Sequence, residues 1–243
     1  MIIPNKRESQ HKAWLYRLLR AVADTPSIAQ SIHFKGGTCA AMLGYLDRFS
    51  IDLDFDLDES VKNKQTQLRK DLKRMFSDLG LVTKDESKNI PQFFLKYEAP
   101  GNQRNSIKVE INSEIYKESD YEVCNLKDIN RYLSCQTIET MFAHKLVALK
   151  DRYKKHKSIA GRDVYDIHHF FLSEYSYKPE IITERTGLVA KDYLKKLYKF
   201  IDKNVTQIML EQDLNTLLPY EKFSKARKYL KEETLMFLKD EIN

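Results

Sequence analysis

Gly36-Gly37-Thr38, followed after a short spacer by Ser50-Ile51-Asp52-Leu53-Asp54-Phe55-Asp56-Leu57-Asp58, is the stretch that decides the fold. Side chains alternate between the faces of an extended strand. Asp52 and Asp54 therefore share one side, and Ile51, Leu53 and Phe55 point into a core. The two aspartate Cα atoms lie roughly 6.6 Å apart, close enough for their carboxylates to hold one hard cation, or two that share a phosphate. The glycines let the backbone approach a ligand without Cβ interference, and Thr38 is expected to cap a helix whose free N–H groups face an anion. A phosphate cradle followed by a metal-holding pair is what phosphoryl or nucleotidyl transfer requires, because the triphosphate must be both anchored and neutralised. Taken alone, an acidic alternating strand is often a half-solvated edge, and a lone GG is usually a turn. Order and spacing together carry the reading. A calcium loop is a poor rival, since the sixth position counted from Asp52 is Leu57 where Gly is needed, and the twelfth is Asn63 where Glu is needed. No Gly-Lys-Ser/Thr follows the glycines, which excludes a P-loop.

The rest of the composition is compatible with one large domain or two modest ones: 243 residues, 42% of them hydrophobic. No apolar run reaches membrane-spanning length, and no signal-peptide core follows Met1-Ile2-Ile3-Pro4-Asn5-Lys6-Arg7, so a soluble protein without a membrane partner is expected. Cys39, Cys124 and Cys135 are odd in number and far apart, with no CxxC spacing; neither a disulfide framework nor a zinc site is indicated, and a reducing cytoplasm fits. The net charge of +6 includes a run of Lys150, Arg152, Lys154, Lys155, Lys157 and Arg162, opposed only by Asp151. Such a run is either a solvated helix end or a surface that meets RNA or a triphosphate.

Patterning predicts a mixed first half and a helical second half. Helices are expected over 8–23, 38–46 and 65–79, the last ending at Gly80, with strands over 31–35, 50–57, 81–84, 93–97 and 106–112. A turn at Ala99-Pro100-Gly101-Asn102 separates the last two strands. Further helices are expected over 137–153, from about Gly161 onward, and over 178–186, 191–203 and 220–238. In the strand at 106–112, Ile107, Val109 and Ile111 share one face and Lys108, Glu110 and Asn112 the other. Paired beside the aspartate strand, Glu110 becomes a third carboxylate for the metal; otherwise it is a surface residue. The fold class is α+β: a mixed sheet with flanking helices in residues 1–135, then a helical domain in 136–243, with the boundary between Cys124 and Gln136. His144, His168 and His169 sit among apolar neighbours and read as packed, hydrogen-bonded histidines.

With these residues collected, the chain resembles the AbiEii/AbiGii family of nucleotidyltransferase toxins, which includes the MenT-type enzymes. Their GG(S/T) and spaced DxD motif is similar to Gly36-Gly37-Thr38 with Asp52 and Asp54, and Arg48-Phe49-Ser50 also fits. Their KLxAxxxR motif resembles Lys145-Leu146-Val147-Ala148-Leu149-Lys150-Asp151-Arg152, and RDxxD resembles Arg162-Asp163-Val164-Tyr165-Asp166. The resemblance implies a DNA polymerase β-type nucleotidyltransferase fold, and NMP transfer from an NTP to the acceptor end of tRNA or another RNA. It also implies a toxin–antitoxin or phage-defence pair with a cognate antitoxin.

The mechanism expected from these readings places Mg²⁺, or Mn²⁺, on Asp52 and Asp54, with a second ion shared with Glu110 roughly 3.5–4 Å away. Gly36, Gly37, Thr38 and Ser50 would bind phosphate oxygens. Lys145 and Arg152 would offset the triphosphate charge, although Lys145 could instead snorkel from a buried stem. Asp163 and Asp166 either orient these cations, act as a base towards the acceptor, or serve a purely structural pair. Two alternatives remain open: a small-molecule, antibiotic-type nucleotidyltransferase, and a non-catalytic module that binds nucleotide or RNA.

Overall fold

Leu53, Phe55 and Leu57 are all buried on one side of their strand, with acidic residues between them. That alternation makes the strand the middle of a seven-stranded mixed sheet. The computed structural model describes residues 1–87, 90–101 and 103–243. They divide into two compact units, Met1–Ile115 with Tyr121–Gln136, and Tyr116–Asp120 with Thr137–Asn243. Asn102, the last residue of the expected 99–102 turn, lies outside the described residues.

The first unit runs α1 (Ser9–Ala23), α2 (Pro26–Ala29), β1 (Ile32–Lys35), α3 (Gly36–Leu43), β2 (Leu53–Leu57), α4 (Gln65–Asp78), β3 (Val82–Glu86), β4 (Gln92–Lys96), β5 (Ser106–Asn112), β6 (Tyr121–Leu126) and β7 (Arg131–Gln136). The sheet order is β3-β4-β5-β2-β1-β7-β6. Pairings β2–β5 and β1–β7 are parallel, and the other four are antiparallel. The apolar face is built from Ile32, Phe34, Leu53, Phe55, Leu57, Ile107, Val109 and Ile111, all buried. Helix α1 buries Leu15, Leu18, Leu19 and Val22, and α4 buries Leu68, Leu72, Met75 and Phe76, with Phe76 edge-on to Phe93 of β4. Each such side chain contributes about 1.5–3 kcal/mol when fully withdrawn from water.

Four features of this unit depart from expectation. Helix α3 begins at Gly36, two residues before the expected start, and β2 begins at Leu53, which leaves Ser50–Asp52 as irregular chain ahead of the strand. The hairpin β6–β7 was not expected as strand. Its outer strand exposes Glu122 and Val123, and Tyr132 of β7 is also exposed, so no clean apolar alternation marks it. Helix α2, a single turn after Pro26, was likewise unmarked.

The second unit contains α5 (Ile138–His156), α6 (Gly161–Leu172), α7 (Pro179–Thr186), α8 (Ala190–Asn204), α9 (Gln207–Leu214) and α10 (Tyr220–Ile242). Thr137 caps α5 by accepting from the Thr140 N–H, and Lys157 ends it in the left-handed conformation. Phe142 of α5 packs against Phe170 and Phe171 of α6. Helix α9, not expected, buries only Leu210 and Leu214, too few apolar positions to show a period. No helix among the described residues is long and apolar enough to cross a membrane.

His11 of α1 fixes the approach to β2. Its Nε2 lies 2.9 Å from the Ile51 carbonyl, and its Nδ1 lies 2.8 Å from the Tyr97 hydroxyl. A carbonyl only accepts, so Nε2 carries the proton. Burial drives the His11 pKa from 6.5 down to about 4, so the folded ring stays neutral. The unfolded chain then binds more protons below pH 6.5, and this contribution to stability is complete above 6.5 and lost as pH falls towards 4. The melting temperature is therefore expected to fall between pH 7 and pH 5 in the wild type, and to fall less over that interval in His11→Gln; parallel profiles would rule out His11 as the cause.

Candidate active site

The site in the first unit starts where β1 turns into α3. Gly36 has φ +75°, and a Cβ there would sit 2.7 Å from Oδ2 of Asp54, so the backbone passes directly against that carboxylate. At Gly37 a Cβ would lie 2.7 Å from a terminal guanidinium nitrogen of Arg48 and 3.0 Å from the Ser50 hydroxyl. Both glycines are thus needed for close approach, and the first N–H groups of α3 have no partner within the helix. Thr38 does not act as the cap. It is buried in the first turn of α3, and its hydroxyl donates to the backbone carbonyl of Asp52, tying the helix start to the residue ahead of β2. Arg48 was read in the sequence only as context. It is buried, donates to the Phe49 carbonyl at 2.9 Å, and stands beside Gly37 and Ser50.

The carboxylates follow from the register. Asp54 is opposite Lys35 in β1 and opposite Glu110 in β5, so the three side chains share the polar face of the sheet. Burial, reinforced by the charges of Asp52 and Glu110, pushes the Asp54 carboxyl above its ordinary range against the opposing influence of Lys108 and Lys35. Glu110 goes the other way. Burial raises it, but the Lys108 ammonium at 2.8 Å and the Gln92 amide at 2.7 Å outweigh that effect and hold it low. Among the described residues, no group of three His, Cys, Asp or Glu side chains is arranged to hold a metal ion. Glu110 is thus beside Asp54 and engaged elsewhere, not converged with it. The donor set nevertheless fits a hard divalent cation: all its ligand atoms are oxygens, and Asp54 is a carboxyl crowded by like charges, which a bound cation relieves.

The second unit holds the other candidates. Lys145 Nζ lies 3.0 Å from Asp163 and 2.9 Å from Asp166, and Arg152 Nε donates to the second oxygen of Asp163 at 3.0 Å. Both aspartates are buried. Burial opposes ionisation of Asp163, but Lys145 and then Arg152 overcome it and hold its pKa at about 2. Lys145 does not snorkel; its two counter-ions fix it. His144 is hydrogen-bonded to Ser119 and Arg185, and His168 lies 2.6 Å from Glu233. In the basic run, Arg152 is spent on Asp163 and Lys150 lies over the Tyr193 ring, whereas Lys154, Lys155 and Lys157 are exposed.

Three outcomes test this geometry. Gly36→Ala is expected to cost about 1–2 kcal/mol from the left-handed backbone alone, before any displacement of Asp54; a urea midpoint equal to that of the wild type would contradict the packing. Lys145→Met removes the cation that buried Asp163 and Asp166 share, leaving Asp163 with Arg152, and is expected to cost about 3–5 kcal/mol, with Lys145→Met/Asp166→Asn recovering part of it. In the wild type the Asp163 contribution is present above pH 3.8 and is lost as pH falls towards 2, so the acid limb of the stability curve should flatten there in Asp163→Asn.

The family model described as "Nucleotidyl transferase AbiEii toxin, Type IV TA system" matches residues 17–236. Among solved structures, the chain is similar to an H. pylori protein described as a nucleotidyltransferase, with 21% identity and a TM-score of 0.60 over 97% of this chain and 96% of that one. It is similar to JHP933 from Helicobacter pylori, with 22% identity and a TM-score of 0.58 over 97% and 94%. A third similar structure is MenT4, a nucleotidyltransferase toxin from Mycobacterium tuberculosis, with 16% identity and a TM-score of 0.56 over 96% and 84%. No curated protein sequence matches. The structural likenesses establish a shared α+β nucleotidyltransferase fold, and the family match adds the activity: this chain belongs to the AbiEii family of nucleotidyltransferase toxins.

Proposed function

We propose that this toxin moves a nucleoside monophosphate from an NTP to the 3′ end of a tRNA, acting in the cytoplasm and held in check by a cognate antitoxin. One observation carries the reading: the Gly36 backbone at the start of α3 lies against the Asp54 carboxylate, so an anion-binding helix end adjoins a cation-binding oxygen. Asp52 and Asp54 would hold Mg²⁺, with Mn²⁺ as a substitute, and Glu110 is the third carboxylate, in register beside Asp54. A divalent ion held there would supply Lewis acidity to the attacking 3′-hydroxyl and charge neutralisation to the leaving pyrophosphate. The free N–H groups of α3 at Gly36, Gly37 and Thr38, with the Ser50 hydroxyl, bind phosphate oxygens. Arg48 holds the Gly37–Ser50 junction that shapes this cradle.

Lys145 and Arg152 are the fixed cations of the second unit. Asp163 and Asp166 are positioning residues for them: both are buried, and Asp163, ionised far below neutral pH, spends both its oxygens on the two cations. The exposed Lys154, Lys155 and Lys157 at the end of α5 favour a polyanionic acceptor over a small molecule. In domain terms, residues 1–135 carry the transfer chemistry and 136–243 the helical partner domain.

The test is transfer of label from each α-labelled NTP into total RNA with Mg²⁺. Label is expected in tRNA-sized species with the wild type, reduced at least about a hundredfold in Asp52→Asn and Asp54→Asn. Label on small aminoglycoside-like acceptors only would replace the RNA reading, and NTP binding without transfer to any acceptor would overturn the enzymatic one.

A further inference from the structure

The acidic run of β2 does not stop at Asp54. Asp56 lies on the same face, is 5% exposed, and has every acceptor position of its carboxylate in use. Its Oδ1 accepts from Lys35 Nζ and, at 3.4 Å, from Asn112; its Oδ2 accepts from the Tyr121 hydroxyl at 3.0 Å and from the Gln136 amide. These four donors come from β1, β5, β6 and β7. Asp56 is therefore closed to a metal, in contrast to Asp54.

The Lys35 contact is the informative one. Lys35 stands directly opposite Asp54 in the β1–β2 pair, where facing Cβ atoms are about 4.5–5.5 Å apart. Its ammonium nevertheless goes to the diagonal neighbour, Asp56. Left without that anchor, a lysine facing two carboxylates at Asp54 and Glu110 pairs with them, since opposite charges on facing positions attract.

We propose that Asp56 is a positioning residue of the transferase site: by holding Lys35 on the diagonal, it keeps an internal cation off Asp54 and leaves that carboxylate open to the divalent ion. The proposal rests on the assignment of Asp52 and Asp54 to the metal. It separates Asp52, Asp54 and Asp56 into two that take the ion and one that removes its competitor.

The test is direct binding of Mn²⁺, followed by the electron paramagnetic resonance signal of the free ion, with thermal melting as the folding control. Asp56→Asn keeps the shape and removes the charge, and is expected to weaken Mn²⁺ binding about tenfold, a coupling of ~1.4 kcal/mol. The double variant Lys35→Met/Asp56→Asn lacks the competitor and is expected to regain wild-type affinity. Asp56→Glu retains the anchor's charge and is expected to stay within about twofold of wild type. An unchanged affinity in Asp56→Asn, a double variant as weak as the single one, or a tenfold loss in Asp56→Glu would overturn the proposal while leaving the metal assignment intact. A wild type that binds no Mn²⁺, or binding unaffected by Asp54→Asn, would overturn the metal assignment itself and this proposal with it.

Discussion

The pairing of β2 between β1 and β5 is the constraint on which the rest depends. One residue of slip in a strand moves every side chain to the opposite face. In this register, Leu53, Phe55 and Leu57 fill the core, while Asp54 is set between Lys35 and Glu110. The same alternation that buries the apolar residues therefore concentrates charge on the other side. Burying that charge costs stability, as the raised carboxyl of Asp54 records, and the neighbouring lysines offset only part of the cost.

Two cation–carboxylate arrangements answer different needs. Around Asp163 and Asp166, Lys145 is pinned by two buried counter-ions, so its ammonium is fixed in direction. Around Asp54, the nearest cations are drawn to other acceptors, Lys35 to Asp56 and Lys108 to Glu110. One group is closed on itself; the other is left with negative charge in excess.

How much of this was legible beforehand varied with the kind of signal. Period-two alternation gave β2 and β5, and helical spacing gave α1, α4, α5, α6, α8 and α10, because each buries a regular apolar face. The edge hairpin β6–β7 and the short α9 were invisible, since few of their residues are buried at a regular interval. Among the site residues, the closeness of Gly36 to Asp54 follows from the motif, whereas Arg48 depends on the return of the chain to the start of α3, and Asp56 on pairings across strands, neither of which a local pattern encodes. The thiols of Cys39 in α3 and Cys124 in β6, distant in sequence, likewise each approach that of Cys135 in β7.

The strand order has a consequence for synthesis. β1 is flanked on one side by β7, the last strand of the sheet in sequence, and Gln136 at the end of β7 is one of the groups that complete the shell of Asp56. Contacts of such long sequence separation form late. A nascent chain that already carries both glycines and every acidic side chain of the first unit still lacks one wall of its sheet, so the shell of Asp56 closes only once β7 has been made.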